Sequence, residues 1–289
     1  MLLFVHKNKK FYTFFCLFLI FNLFAKKNKE EAEILKPQPL EKKVQNSQID
    51  LQANKKFANK SDTQFKYAIF NISGVIWQKR TYDLLNAYQK KKGVSFSHYW
   101  KLVKFGTSYL FGDFDPKKAF ESFLDCYKGS TLKDLQNGCK EIWCGECKNC
   151  LYKQGKELFD KHKKEGTTTI IAEVGMKELY ADLLDIYKFD YTFFSELEFK
   201  DNKVSGKLIG EPCVGKVKYE KIKNLIEKDL KGSLKDTIFY ASSHLDIPLL
   251  EEVGKPVVVN PTSKLESHAK KKKWEILKFK NFIEEKNCK

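Results

Sequence analysis

Arginine is almost missing from this chain. Among 289 residues carrying a formal charge of +16, Arg80 stands alone, and the rest of the positive charge is lysine spread along the whole length. A lysine ammonium lacks the planar fork that reads base edges or clamps phosphates bidentately. The charge therefore reads as a solubilising bias, and no specific nucleic-acid partner is expected. The run Lys270 to Lys273 ahead of Trp274 follows the same logic, as the wet face of a late helix. An apolar stretch of membrane-spanning length is missing too. The block from Phe11 to Ala25 is broken at Thr13 and Asn22, and it is shorter than the ~20 residues a spanning helix needs. Lys7, Lys9 and Lys10 precede it, and the dense charge of Lys26, Lys27, Lys29, Glu30 and Glu31 follows. That layout predicts an exported protein, periplasmic or extracellular, with a signal peptide over residues 1–25 cut after Ala25. An uncleaved anchor is the alternative, and this segment is then the one contact with a membrane. Cys16 is not preceded by small residues, so a lipid attachment site is not expected.

The absence that matters most is at a turn. Tyr67-Ala68-Ile69-Phe70-Asn71-Ile72-Ser73-Gly74-Val75 is a buried-strand pattern running into a tight turn with no carboxylate in it. Before it, residues 26–64 are rich in Lys, Glu, Gln, Asn and Ser, contain Pro37 and Pro39, and show little apolar periodicity, which predicts a flexible linker. After it, 42% hydrophobic residues suffice for a core. The region from Thr81 to about Gly166 reads as helical, with a helix over Lys156 to Lys164 closing it. Strands are then expected at Thr167 to Ala172, Tyr191 to Phe194, Thr237 to Ala241 and Pro256 to Asn260, with a polar hairpin at Asp201-Asn202 and a helix from Tyr219 to Leu230. Continuous apolar strands separated by helices predict a parallel α/β sheet covered on both faces. Ligands of such sheets sit at the carboxyl ends of the strands, where Asn71, Glu173 and Ser242 emerge.

Four segments in order resemble the motifs of the haloacid dehalogenase (HAD) superfamily, in the branch similar to phosphoserine phosphatases. They are Phe70-Asn71-Ile72-Ser73-Gly74; Ile170-Ile171-Ala172-Glu173-Val174-Gly175; Gly210 to Lys218; and Tyr240-Ala241-Ser242-Ser243-His244-Leu245-Asp246-Ile247-Pro248 with Gly254 to Pro261 behind it. The resemblance covers about Phe65 to Phe282. It implies a three-layer, Rossmann-like HAD core within residues 65–289 and an inserted helical cap at about 80–150. It also implies aspartyl-phosphate chemistry, in which one aspartate attacks phosphorus, a second moves the proton, and Mg²⁺ offsets the phosphate charge.

At the matching positions this chain departs from the pattern. Asn71 offers an amide for the nucleophilic carboxylate, and the Ser73 hydroxyl is too weak an acid to shuttle a proton near neutral pH. Glu173 replaces the phosphate-binding hydroxyl with a carboxylate. Two like charges about 4 Å apart at an effective dielectric near 20 repel by roughly 4 kcal/mol, ~1000-fold in affinity. Ser242 stands where the first acid of the last motif belongs. Lys218, with Lys216 as the alternative, and Asp246 are retained. The expectation is a catalytically degenerate binding or interaction module without a cofactor, in which Glu173 and Lys218 pair in the former phosphate site. The alternative is a hydrolase or phosphatase of the family with residual or rerouted activity on a small phosphorylated substrate, using Mg²⁺. His244 reads as a loop residue.

Cys139, Cys144, Cys147 and Cys150 form a C-x4-C-x2-C-x2-C array at the return from the cap. In an exported protein the first reading is one or two disulfides, with Cys126 as a further partner. A tetrathiolate Zn²⁺ site is the second and solvated thiols are the third.

Overall fold

The computed structural model describes residues 65–81, 83–84, 87, 115–143, 145 and 150–283, with the backbone alone for Cys126. All belong to the unit Gln64–Lys289. The leader and linker readings, much of the first half of the cap, Cys144 and Cys147 lie outside the described residues.

The core is a seven-stranded sheet built around β1 (Tyr67–Phe70). On one side of β1 lie β3 (Thr168–Met176), β4 (Tyr191–Lys200) and β5 (Lys203–Ile209). On the other lie β6 (Thr237–Ala241), β7 (Lys255–Val259) and β8 (Glu275–Leu277). Every pairing is parallel except β4 with β5, which form the expected hairpin, Asp201 and Asn202 turning with positive φ. All four residues of β1 are buried, and alternation sends Ala68 and Phe70 into one core and Tyr67 and Ile69 into the other.

On the first face pack α3 (Lys153–Lys164) through Phe159, α4 (Ala181–Ile186) through Leu183, and the cap helices α1 (Pro116–Leu124) and α2 (Leu132–Ile142). The starts of α1 and α2 are written into the sequence. Asp115 accepts from the N–H groups of Lys117 and Lys118 ahead of Pro116, and Thr131 and Asp134 form a reciprocal capping box. The second face is covered by α5 (Gly215–Lys223), α6 (Ile247–Leu250) and α7 (Ser263–Lys272), which contribute Ile222, Leu249, Leu250, Leu265 and Ala269. A short ribbon of β2 (Leu151–Tyr152) with β9 (Phe282–Ile283) ties the return from the cap to the chain's last described strand.

Several expected boundaries shift. The strand expected to end at Ala172 runs on to Met176, taking Glu173 inside it, and the one expected to end at Phe194 runs on to Lys200. The helix expected through Leu230 ends at Lys223 and continues as a π-helical turn over Asn224–Asp229, which buries the adjacent Leu225 and Ile226 together. The late helix stops at Lys272, and Lys273 is left-handed at φ 58°, so that Trp274 leads directly into β8, a strand the lysine run conceals.

Candidate functional site

β3 and β6 flank β1 from opposite sides, so the strand order reverses direction there and the loops after β1 and β6 open toward the same end of the sheet. Asn71 follows β1, Glu173 lies within β3, and Ser242 follows β6. Lys218 comes from the first turn and a half of α5, and Asp246 from a single 3₁₀ turn, His244–Asp246, that Ser243 caps by accepting the Leu245 N–H. Asn71, Glu173, Lys218, Ser242 and Asp246 are all buried. Five of the six expected site residues are therefore charged or polar groups withdrawn from water, and each needs a partner.

Asn71 sits between the two retained ions. Its amide donates to Asp246 Oδ2 at 2.6 Å and its carbonyl oxygen accepts from Lys218 Nζ at 3.2 Å. Lys218 Nζ also lies 2.7 Å from Asp246 Oδ1, closing a triangle. Burial pulls the Lys218 pKa down, but the charges of Asp246 and Glu173 outweigh it and leave the ammonium raised above its ordinary value.

The expected Glu173–Lys218 ion pair does not form. Asp246 takes the lysine, and Glu173 turns instead to donors that were not anticipated. Its Oε2 accepts from the N–H groups of Ile72 and Ser73, both at 3.0 Å, and its Oε1 from the Val174 N–H at 3.1 Å and the Thr81 hydroxyl at 3.3 Å. Main-chain donors win because the turn after β1 already aims them at the end of β3. The Thr81 hydroxyl is also 2.8 Å from the Tyr180 hydroxyl, whose pKa burial, aided by the Glu173 charge, holds well above the ordinary value.

Ser242 and Ser73 meet through a hydrogen bond, not as paired acids. Ser242 Oγ donates to the Ser73 carbonyl at 2.6 Å, and Asn260 Nδ2 donates to the Gly74 carbonyl at 3.1 Å. Gly74 permits this approach. Its φ is +77°, and a Cβ there would stand 2.7 Å from Ser242 Cβ. The Ser73 hydroxyl itself is buried and makes no well-formed hydrogen bond. His244 is half-buried, and burial lowers its pKa.

Thr81, Tyr180 and Asn260 were not singled out as site residues. The trace that Tyr180 leaves in the sequence is Gly175, where a Cβ would lie 2.6 Å from the tyrosine ring. Of the cysteine array, Cys139 is buried and Cys150 half-buried. Among the described residues no group of three or more His, Cys, Asp or Glu side chains is placed to hold a metal. The buried Cys213 thiol is pushed up by burial against the opposing charge of Lys218 and Lys221.

A mostly parallel α/β sheet with buried charged groups gathered at its switch point defines the doubly wound class. The family model described as haloacid dehalogenase-like hydrolase matches residues 73–251, more than half of the chain, and the chain belongs to that family. Over 126 residues it is 29% identical to the histidinol-phosphatase of Neisseria meningitidis serogroup C, covering 43% of this chain and 57% of the relative. Over 154 residues it is 27% identical to the phosphoserine phosphatase SerB1 of Mycobacterium tuberculosis, covering 53% and 49%. The chain thus spans about half the length of these curated relatives. A crystal structure of a protein of unknown function from Bordetella pertussis Tohama I superposes with a TM-score of 0.64 at 18% identity, over 74% of this chain and 98% of that one. At that identity the likeness establishes the fold.

Proposed function

We propose that the domain at 65–289, exported behind the leader at 1–25, is a catalytically degenerate HAD protein that serves as a binding or interaction module. The observation that carries this reading is Asn71, held by its amide between Asp246 and Lys218 at 2.6 and 3.2 Å. An amide nitrogen committed as a donor to a carboxylate is no nucleophile, and the amide oxygen beside it is taken by the lysine.

Mg²⁺ does not fit the donors as they stand. It demands near-octahedral oxygen ligands, usually including one or two free carboxylates. Here Asp246 carries Lys218 on one oxygen and the Asn71 amide on the other, while the Ser73 carbonyl accepts the Ser242 hydroxyl.

A second reading, a hydrolase with residual activity, draws on the retained Lys218 and Asp246 and on relatives named as phosphatases. One assay separates the two. With p-nitrophenyl phosphate and Mg²⁺, the wild-type chain is expected to show no turnover above buffer. The quadruple variant Asn71→Asp, Ser73→Asp, Glu173→Ser, Ser242→Asp is expected to gain Mg²⁺-dependent turnover. Wild-type turnover that disappears in Asn71→Ala would overturn the module reading.

A further inference from the structure

A cleft lies away from the buried site residues. The β4–β5 hairpin, the residues after β3 and the end of α5 enclose about 700 Å³, and Asn71, Glu173, Lys218, Ser242 and Asp246 take no part in its lining. Large apolar side chains stand in water here. Of the five that are exposed among the described residues, Phe199 at 36% and Ile209 at 56% both border this cleft, and Ile209 is the most exposed of all. The register of the hairpin shifts between Leu197 and Phe199, the kind of irregularity that re-aims a side chain. The π turn contributes Asn224, Leu225 and Asp229 to the lining, and the buried Leu225 with the half-buried Phe193 gives the cleft an apolar floor.

The charge of the cleft departs from that of the chain. Its lining carries the ammonium groups of Lys177 and Lys221 and the carboxylates of Glu178, Glu196 and Asp229, a small negative excess in a chain of net +16. Lys221 reaches Glu196 only at 3.9 Å, and among the described residues Lys177, Glu178 and Asp229 form no ion pair. Three charges are thus left for a partner. A small ligand needs walls that close over it, and Ile209 stays mostly in water unless a surface of protein size covers it. An acidic protein would be drawn to the lysine-rich remainder of the surface and repelled here. A second copy, itself strongly positive, is repelled over most of that surface and can approach where the positive excess is missing.

We infer that two copies of this chain pair through this cleft about a two-fold axis. Such an axis sets a patch against itself, so the patch must hold both signs of charge and both a knob and a hollow. This one holds all four. Ile209 and Phe199 form the knob, and the hollow over Phe193 and Leu225 receives them from the other copy. Lys177 then meets carboxylates, as Glu178 and Asp229 meet ammonium groups. The inference stands apart from the reading of the buried site, since it holds whether or not that site turns over a phosphate.

The test is sedimentation equilibrium of the full chain from micromolar to near-millimolar concentration. The wild type is expected to interconvert between one copy and two and to go no further. Ile209→Ser, at a position already largely in water, is expected to raise the dissociation constant roughly a hundredfold, because the axis makes the contact twice. Two charge variants supply a readout that a merely sticky surface would not give. Lys177→Glu with Lys221→Glu makes the patch acidic, and Glu178→Lys with Asp229→Lys makes it basic. Each is expected to stay single on its own, and an equimolar mixture of the two is expected to pair at least as tightly as the wild type.

A wild type that stays single at every concentration gives the cleft to another occupant and overturns the proposal. Growth beyond two copies also overturns it, as does an Ile209→Ser chain that pairs like the wild type or a mixture of the charge variants that fails to pair. Phosphatase turnover by the wild type would defeat the module reading and leave the pairing untouched, whereas a missing pair defeats this inference alone.

Discussion

Lys218 and Asp246 show what a single buried ion pair demands. Their side chains are 3% and 2% exposed and 2.7 Å apart, so desolvation offsets much of their attraction. Removing one partner leaves the other charge stranded. Lys218→Met is therefore expected to destabilise the domain by about 3–5 kcal/mol, read from urea denaturation, and Lys218→Met with Asp246→Leu is expected to recover much of that loss. The residues of this site were legible in the sequence as a set, because four ordered segments brought Asn71, Ser73, Glu173, Lys218, Ser242 and Asp246 to one end of a sheet. Their partners were not. Opposite charge suggested Glu173 with Lys218, but charge alone does not reveal which carboxylate stands beside the ammonium or where backbone N–H groups point. Thr81 and Tyr180 are 99 positions apart in sequence and meet only through the fold.

Among the elements, β1 and β6 were read well, since both are short and wholly buried, and burial on both faces leaves an unbroken apolar run, whereas β3 and β4 run on past their expected ends and β8 was not foreseen. Helix ends were read less well. The π turn after α5 has a hydrogen-bonding register that no side-chain pattern announces. The packing of α3 was also hidden. Gly155 lies in its first turn, and a Cβ there would stand 2.5 Å from the Val75 carbonyl oxygen and 3.2 Å from Ile76 Cα. On helix propensity alone Gly155→Ala would gain up to about 1 kcal/mol. Against the backbone of the turn after β1 it is expected to lose about 1–3 kcal/mol instead, measurable as a lower urea midpoint at unchanged slope.

For the molecule as a whole, acid is the condition that the buried groups oppose. His162 is buried, with its Nε2 2.9 Å from the Tyr240 hydroxyl, and burial, reinforced by Lys161 and Lys255, lowers its pKa to about 4. The unfolded chain, with an ordinary histidine near pH 6.5, binds this proton first. The neutral ring's contribution is thus complete above about pH 6.5 and is lost as pH falls toward about 4, some 3 kcal/mol in all. Urea midpoints measured across that interval should fall with acid in the wild type and more shallowly in His162→Gln. The hydrogen bond from Ser242 to the Ser73 carbonyl bears on a different question, that of redesign. Changing Ser242 to aspartate by itself would aim a carboxylate at a carbonyl oxygen, and changing Asn71 to aspartate by itself would set a second carboxylate against Asp246. Each single step is penalised before its companions arrive, so carboxylates at these positions have to be introduced together.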